Sequence, residues 1–380
     1  MTALDPDTFD SPAAYGDALA AFLTGNDAFQ AYRGYRPASI EEAASRLGDL
    51  QRILFDSGWS RLGWPTETGG LGGDPRFRGM MFETLWALDS PIPDPYTTLE
   101  ILVPVLLVYA PHLARAHLPH VLRGDETWTQ AFSEPDAGSD LASLRTRLEP
   151  DGDGYRLYGQ KVWASYAHLG GRAMLLARSG EPGHKGLTMV LVDIDQDGIE
   201  ARPIGTMSGE NHFGEIFCDG AYVPADRLIG PLGSGWAVAM YMLQWERGAW
   251  GWLQQGRFHN RLAHAMRLAQ PSSDHDGVIG HAYTLAAALR LQTKHTVECL
   301  AREETLGPEV SVDKLLLIDA ETAVWDAIRH HLGARFDLDD SLEWLRTEFM
   351  FSRAAPIYGG SQEIQRTLVA QRVLGMGRQA

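Results

Sequence analysis

Apolar residues fall at helical spacing in the first third of the chain, change to short alternating runs, and then return to helical spacing. Ser39-Ile-Glu-Glu42 reads as a capping box, followed by Ala43, Ala44, Leu47, Leu50 and Leu54 on one helical face. Gly58 suits the stop of that helix. Residues 1–127 are therefore expected to form an N-terminal helical domain. Between 128 and 229 the runs shorten to Tyr155 to Trp163, Arg172 to Ala177, Gly186 to Asp193 and Glu215 to Cys218. Turn signals punctuate them: Asp151-Gly-Asp-Gly154, Ser179-Gly-Glu-Pro-Gly183 and Asp197-Gly198. Strands spaced in this way predict a small sheet domain or barrel. From 230 to 380 the helical pattern resumes, as in Ala320, Ala323, Val324, Ala327 and Ile328, and predicts a C-terminal helical bundle. No internal repeat or low-complexity tract interrupts the order helices, strands, helices.

Composition narrows the partners. With 33 Lys+Arg against 49 Asp+Glu, the net charge of −16 argues against a nucleic-acid or anionic-membrane surface. An anionic ligand can still be held by a few local cations and backbone N–H groups. The hydrophobic fraction of 44% is that of a soluble globular chain. The longest apolar run, Ile101 to Ala110, contains Pro104 and is about half the length a bilayer requires. The acidic N-terminus has no basic stretch of a signal peptide. Two cysteines, Cys218 and Cys299, occur without a CxxC, which suits inert thiols in a cytoplasmic chain. The thirteen histidines form no HExxH; His117-x-x-His120 and His330-His331 read as surface or capping residues, and no metal site is expected.

Seven segments, in order, carry a family resemblance. They are Leu62-Gly-Trp-Pro-Thr-Glu-Thr-Gly-Gly70, Leu118-Pro-His-Val-Leu-Arg-Gly124 and Gln130-Ala-Phe-Ser-Glu-Pro-Asp-Ala-Gly-Ser-Asp140, followed by Gln160-Lys-Val-Trp-Ala-Ser165. Further on come Phe213-Gly-Glu-Ile-Phe217 with Val223-Pro224, Gly235-Trp236 with Leu243-Gln-Trp-Glu-Arg247, and Ile357-Tyr-Gly-Gly-Ser-Gln-Glu-Ile-Gln-Arg366. Together they resemble the acyl-CoA dehydrogenase family over most of the chain. The resemblance implies an α+β fold with an N-terminal helical domain, a central β-barrel-like domain and a C-terminal four-helix bundle. It also implies FAD, an acyl-CoA substrate, and an electron-transferring flavoprotein as electron acceptor. The assembly would be a homodimer, a homotetramer or an α2β2 heterotetramer. The wording of several motifs resembles bacterial members, some of which act on branched or sterol-derived acyl groups.

The turn Glu134 to Ser139 offers small residues and free N–H groups that can approach a flavin or a phosphate, although Pro, Asp and Gly also make ordinary turns. Trp163-Ala-Ser165 reads as a strand with Trp163 and Ser165 on one face, where an indole can cover a flavin ring and a hydroxyl can reach its N5. A core tryptophan is the ordinary alternative. By resemblance, Gln130, Phe132, Ser133, Gly138, Ser139, Trp163, Ser165, Ser361 and Glu363 bind the cofactor, while Ser139, Arg247 and Gly360 meet the acyl-CoA. The helix expected from about Gln362 has N–H groups suited to a carbonyl or phosphate oxygen.

In many family members the C-terminal segment reads Ile-Tyr-Glu-Gly-Thr, and its glutamate is the catalytic base. Gly359 stands there, and glycine takes no proton. Glu246 is the replacement candidate, in an apolar helix with Trp236, Met240, Leu243, Trp250 and Trp252. A subgroup resembling isovaleryl- and long-chain acyl-CoA dehydrogenases carries its base at this Glu-Arg position. A solvated helix carboxylate is the ordinary alternative. The expected reaction is FAD-dependent α,β-dehydrogenation: Glu246 removes the pro-R α-proton, hydride passes to flavin N5, and the Gly359 N–H holds the thioester oxygen.

Two segments depart from the family. The RxxFGxPIxxxQ stretch is not recognisable between Arg257 and Tyr283, and QxxGGxG is reduced to His330-His331-Leu-Gly333-Ala334. Both normally grip the ADP half of FAD, so help from a second kind of subunit is one expectation. The alternatives are a flavin oxidase or monooxygenase, a dehydrogenase of acyl-carrier-protein thioesters, and a non-catalytic partner subunit of a heteromeric dehydrogenase.

Overall fold

The computed structural model describes residues 4–269, 273–302, 304 and 306–377. Six helices lead: α1 (Pro12–Thr24), α2 (Asp27–Gln30), α3 (Ile40–Asp56), α4 (Arg76–Ala87), α5 (Asp94–Tyr109) and α6 (Pro111–Arg123). Ser39 caps α3, its hydroxyl accepting from the Glu42 N–H at 3.2 Å. The Glu42 carboxylate reaches back one residue further than a capping box requires, accepting from the Ala38 N–H at 2.9 Å. Ala43, Leu47, Leu50 and Leu54 bury one face of α3, while Ala44 lies off it. Gly58 ends the turn with φ at +89°. His117, expected at the surface, is instead buried on α6, with Nδ1 3.3 Å from Glu126.

Eight strands follow: β1 (Trp128–Ala131), β2 (Arg147–Asp151), β3 (Gly154–Ser165), β4 (Arg172–Arg178), β5 (Leu187–Asp193), β6 (Ile199–Ile204), β7 (Phe213–Pro224) and β8 (Leu228–Ile229). They join one mixed sheet in the order β6-β7-β3-β2-β4-β5-β8, with β1 parallel to β4. Both faces of the central strands are covered. Ala173, Leu175, Val190 and Val192 enter a cluster shared with β1, β2, β3 and β7. Their neighbours Met174, Leu176, Met189 and Leu191 pack against the N-terminal helices instead. Two buried faces explain why β4 and β5 read as continuous apolar runs, without alternation. The sheet thus curls around its own small core and is clamped to the helices from outside.

Helices return as α7 (Gly235–Leu268), α8 (Ser273–Ala301), α9 (Val310–Leu332), α10 (Ala334–Leu338), α11 (Glu343–Ser352) and α12 (Gln362–Leu368). α7, α8 and α9 pack on one another, and α12 lies along α9. The approach of α7 to α8 is close. A Cβ on Gly248 would stand 2.7 Å from Thr296 Cγ2, and one on Gly251 2.8 Å from Thr293 Cγ2. α7 also packs on α4, α5 and β5, so this one helix touches both helical regions and the sheet. Among the described residues no helix is long and apolar enough to cross a membrane.

Candidate active site

Glu246 and Gly359 meet where α7 passes the bend between α11 and α12. A Cβ built on Gly359 would lie 3.0 Å from Glu246 Oε1. A side chain at 359 would therefore begin against the Glu246 carboxylate, so the two alternative positions for a carboxylate adjoin one another. Gly359 and Gly360 hold φ at +64° and +91°, in the left-handed region where a side chain is strained. Gln365, fully buried on α12, fixes the bend by donating from Nε2 to the Gly359 carbonyl at 3.2 Å and the Gly360 carbonyl at 3.4 Å. The Gly359 N–H donates to no group among the described residues.

Glu246 is itself only partly covered. Gln130, from β1, donates to its Oε2 across a long 3.4 Å. Burial raises the Glu246 pKa above the ordinary value, against the opposing pull of Arg247, of Lys314 and of the Gln130 hydrogen bond. A carboxyl raised in this way is suited to taking a proton near neutrality. Adjacent residues on a helix diverge, and Arg247 forms no ion pair among the described residues. Its Nε is buried without a partner, and its Nη2 lies 4.0 Å from the Cβ position of Gly360. A guanidinium in that state is a ready donor to an anionic or carbonyl ligand.

Behind the bend lies a buried polar array that the sequence did not announce. The Tyr358 hydroxyl donates to Glu321 Oε2 at 3.0 Å and accepts from Trp250 Nε1 at 3.4 Å. Arg257 pairs with Glu321 Oε1 at 2.8 Å. The Arg257 guanidinium thus points inward to Glu321. Lys314 Nζ donates to the Ala355 carbonyl at 3.0 Å and sits 3.8 Å from the Tyr358 ring centroid.

The other wall comes from the sheet. β3 carries a bulge: Lys161 pairs with Ile216 and Ala164 with Gly214, so one extra residue enters between them. The Val162 N–H turns away from β7 to the Ser133 carbonyl at 2.9 Å. Trp163 takes φ of +62°, a conformation that a bulky residue rarely adopts, and remains 58% exposed. The regular strand expected here is thus broken at Trp163, although Trp163 and Ser165 are both exposed. A strained, exposed aromatic beside an open turn is a platform for a flat ligand. Lys161, fully buried, ties the strand to that turn, donating to Glu134 Oε1 at 2.8 Å and to the Phe132 carbonyl at 3.0 Å. Glu134 also accepts from the Arg145 N–H at 2.6 Å and the Thr146 N–H at 2.9 Å.

These residues fit a flavin at the ring end. Gly138 and Ser139 are exposed at the turn, and a Cβ on Gly138 would meet nothing within 4 Å. Ser133 is half-buried and offers its edge, whereas the Phe132 side chain is buried in the helical core and leaves only its backbone to a ligand. Ser361 stands at the N-terminus of α12, and Glu363 is exposed in its first turn. Sequence reasoning missed Lys314, Gln365 and the Glu134–Lys161 pair. Each has polar neighbours in the chain, so nothing in the local pattern sets it apart as buried.

Residues 129–220 match the family model described as acyl-CoA dehydrogenase, middle domain. Residues 233–374 match that described as acyl-CoA dehydrogenase, C-terminal domain. The chain is 36% identical, over 95% of its length, to acyl-CoA dehydrogenase IpdE1 of Mycobacterium tuberculosis (strain ATCC 25618 / H37Rv), of which it covers 96%. It is 26% identical, over 89% of its length, to cyclohexane-1-carbonyl-CoA dehydrogenase of Geobacter metallireducens, of which it covers 92%. Among solved structures, the Tcur3481-Tcur3483 steroid ACAD superposes with a TM-score of 0.84 at 24% identity, over the whole of both chains. With two family domains matched in order and identity sustained over nearly its full length, the chain belongs to the acyl-CoA dehydrogenase family, flavin-dependent oxidoreductases that act on CH–CH groups.

Proposed function

We propose that this chain dehydrogenates an acyl-CoA thioester between Cα and Cβ, with Glu246 as the base. The observation that carries the reading is the approach of the Glu246 carboxylate to within 3.0 Å of the Cβ position of Gly359. A carboxylate absent from one helix–bend junction is supplied to the same place from α7. In this reading Glu246 takes the pro-R α-proton in a pocket that keeps its pKa high. The free Gly359 N–H donates to the thioester oxygen, where negative charge grows as the proton leaves. Arg247 and the exposed hydroxyl of Ser139 receive the CoA portion. Trp163, Ser165, Ser133, the turn at Gly138, Gln130, Gly360, Ser361 and Glu363 are the residues that would hold FAD and the bound acyl group beside it. When bound, FAD would accept the hydride from Cβ, and an electron-transferring flavoprotein is the proposed acceptor of its electrons.

The acyl class we infer is sterol-derived, because a structure that superposes over the whole of both chains is titled steroid ACAD. An assembly of two kinds of subunit is also part of the proposal. Two of the superposing structures are titled as paired chains, Tcur3481-Tcur3483 and ChsE4-ChsE5. Ile357, before α12, and Leu374 and Met376, after it, are 71%, 65% and 59% exposed, apolar side chains that a partner could cover. The domain limits we propose are 1–127, 128–229 and 230–380.

The test is anaerobic bleaching of the flavin absorbance by a panel of acyl-CoAs, in the wild type and in Glu246→Gln. Bleaching by the wild type and a loss of at least a hundredfold in the variant are expected. Equal rates in a yellow Glu246→Gln protein would remove Glu246 from the role. A colourless, well-folded chain that turns yellow only with a second subunit would favour the partner-subunit reading.

A further inference from the structure

Lys314 follows Asp313 at the head of the apolar run Leu315 to Ile318 of α9 and is 2% exposed. A lysine is seldom buried unless its charge is answered. Its ammonium has three N–H donors, yet its hydrogen-bond partner is one neutral carbonyl, that of Ala355. The Tyr358 ring face covers it at 3.8 Å. Two carboxylates stand near. Glu321 is already engaged by Arg257 and by the Tyr358 hydroxyl. Among the described residues Glu246 has only the long Gln130 hydrogen bond. The point where a Gly359 Cβ would sit is 3.0 Å from Glu246 Oε1 and 3.7 Å from Lys314 Nζ. Gly359 thus stands beside both the carboxylate and the ammonium, a window at which it sets no side chain of its own.

We infer that Lys314 is a positioning residue for proton abstraction: across the Gly359 window its buried ammonium holds the Glu246 carboxyl ionised and ready to accept a proton. The inference rests on the reading of Glu246 as the base. The charged and polar groups that face Glu246 are Arg247 on α7, Lys314 on α9 and the Gln130 amide on β1; the bend contributes backbone only. Arg247 is itself expected to turn to the CoA portion, which leaves Lys314, shared with Glu321, as the buried cation that stays beside the base. Burial works against both partners, raising Glu246 and lowering Lys314 to about 8. Against that burial, Lys314 is supported by Glu321 and then by Glu246, and Glu246 by Arg247 and then by Lys314.

The test reads Glu246 directly. The infrared band of its protonated carboxyl is assigned by its disappearance in Glu246→Gln and titrated against pH in the flavin-loaded protein. In Lys314→Met the midpoint is expected to rise by about one pH unit or more, as loss of an opposite charge at this range implies. Lys314→Arg is expected to restore it to near the wild-type value. Lys314→Gln, which keeps a donor for Ala355, provides the same reading should the methionine variant not fold. An unmoved midpoint in a folded Lys314→Met or Lys314→Gln protein overturns the inference. The acid limb of the pH–kcat/KM profile separates the two readings. If the infrared midpoint rises and the rate limb does not follow, Lys314 governs Glu246, but Glu246 is not the base.

Discussion

The Glu246 carboxylate occupies the space into which any side chain on Gly359 would grow, with Oε1 3.0 Å from the Cβ position. Gly359→Ala would therefore strain the site twice. The left-handed φ of +64° costs a non-glycine residue about 1–2 kcal/mol, and the methyl group displaces the carboxylate. We expect a stability loss of that size in urea denaturation and a fall of tenfold or more in the flavin-bleaching rate. Unchanged values for both would show that the carboxylate has room elsewhere.

Gln365 acts on the same bend from behind. It is the donor to both glycine carbonyls, and its own Oε1 is buried without a partner. Gln365→Met would leave those carbonyls unanswered, at a cost of about 1–3 kcal/mol. The Gly359 N–H would lose its fixed direction. We expect kcat/KM for an acyl-CoA to drop at least tenfold in steady-state assays, while the acid limb of the pH profile stays in place. A shifted limb would mean that Gln365 touches the base rather than the bend.

The fold was legible because its periodicities are clean. The run Tyr155 to Trp163 marks β3, and the capped run after Ser39 marks α3. β2 and β6 were not legible: their five and six residues are largely exposed, contain Pro150 and Pro203, and carry charges that read as loop. Within the site, the meeting of positions 246 and 359 was legible as a carboxylate missing from one motif and present in another. Trp163 shows the limit of pattern. Its strand was readable, but its positive φ depends on a bulge that forms against β7, fifty residues away. Lys314 and Gln365 left no trace, because each stands among other polar residues and its burial depends on tertiary packing, not on a local period.

The Glu134–Lys161 pair joins the exposed turn to the bulged strand. Lys161 is fully buried and Glu134 nearly so. Removing one partner from such a pair costs about 3–5 kcal/mol, because the other charge is left in a dry setting. Lys161→Met should lose that much stability and bind flavin more weakly, read as absorbance after gel filtration. The double change Lys161→Met with Glu134→Gln should cost less than the two single changes together, since no uncompensated charge remains. Additive losses in chemical denaturation would mean that the two groups do not support each other.

Asp313 gives a pH signature away from the reaction. It is fully buried and accepts from Gln292 Nε2 at 2.8 Å and Thr296 Oγ1 at 2.6 Å. Burial outweighs these bonds and raises its carboxyl from 3.8 to about 6. A carboxyl raised on folding binds its proton more tightly in the native state. Its contribution is therefore fully present below the unfolded pKa and is lost as pH rises through about 6. Asp313→Asn should flatten the stability profile between pH 4 and 6 and stabilise the protein at pH 7 by about 1–2 kcal/mol. Thermal melts across that range test it; an unchanged slope would show that the carboxyl is not held protonated.

Trp163 should behave unlike the other tryptophans near the site. Trp252, at 8% exposure, is a packing residue, and its truncation would cost about 3–5 kcal/mol. Trp163 is 58% exposed, holds a φ of +62° and keeps one edge-on ring contact, with Phe213 at 5.9 Å. Asparagine tolerates that backbone at little cost, so Trp163→Asn relieves strain while giving up little burial. Protein stripped of flavin should be level with the wild type or more stable by about 0.5–1 kcal/mol. Flavin affinity, measured by fluorescence quenching on titration, should fall about tenfold with the loss of a stacked ring. A loss of stability beyond 2 kcal/mol would place Trp163 in the core, and full flavin affinity would remove it from the flavin site.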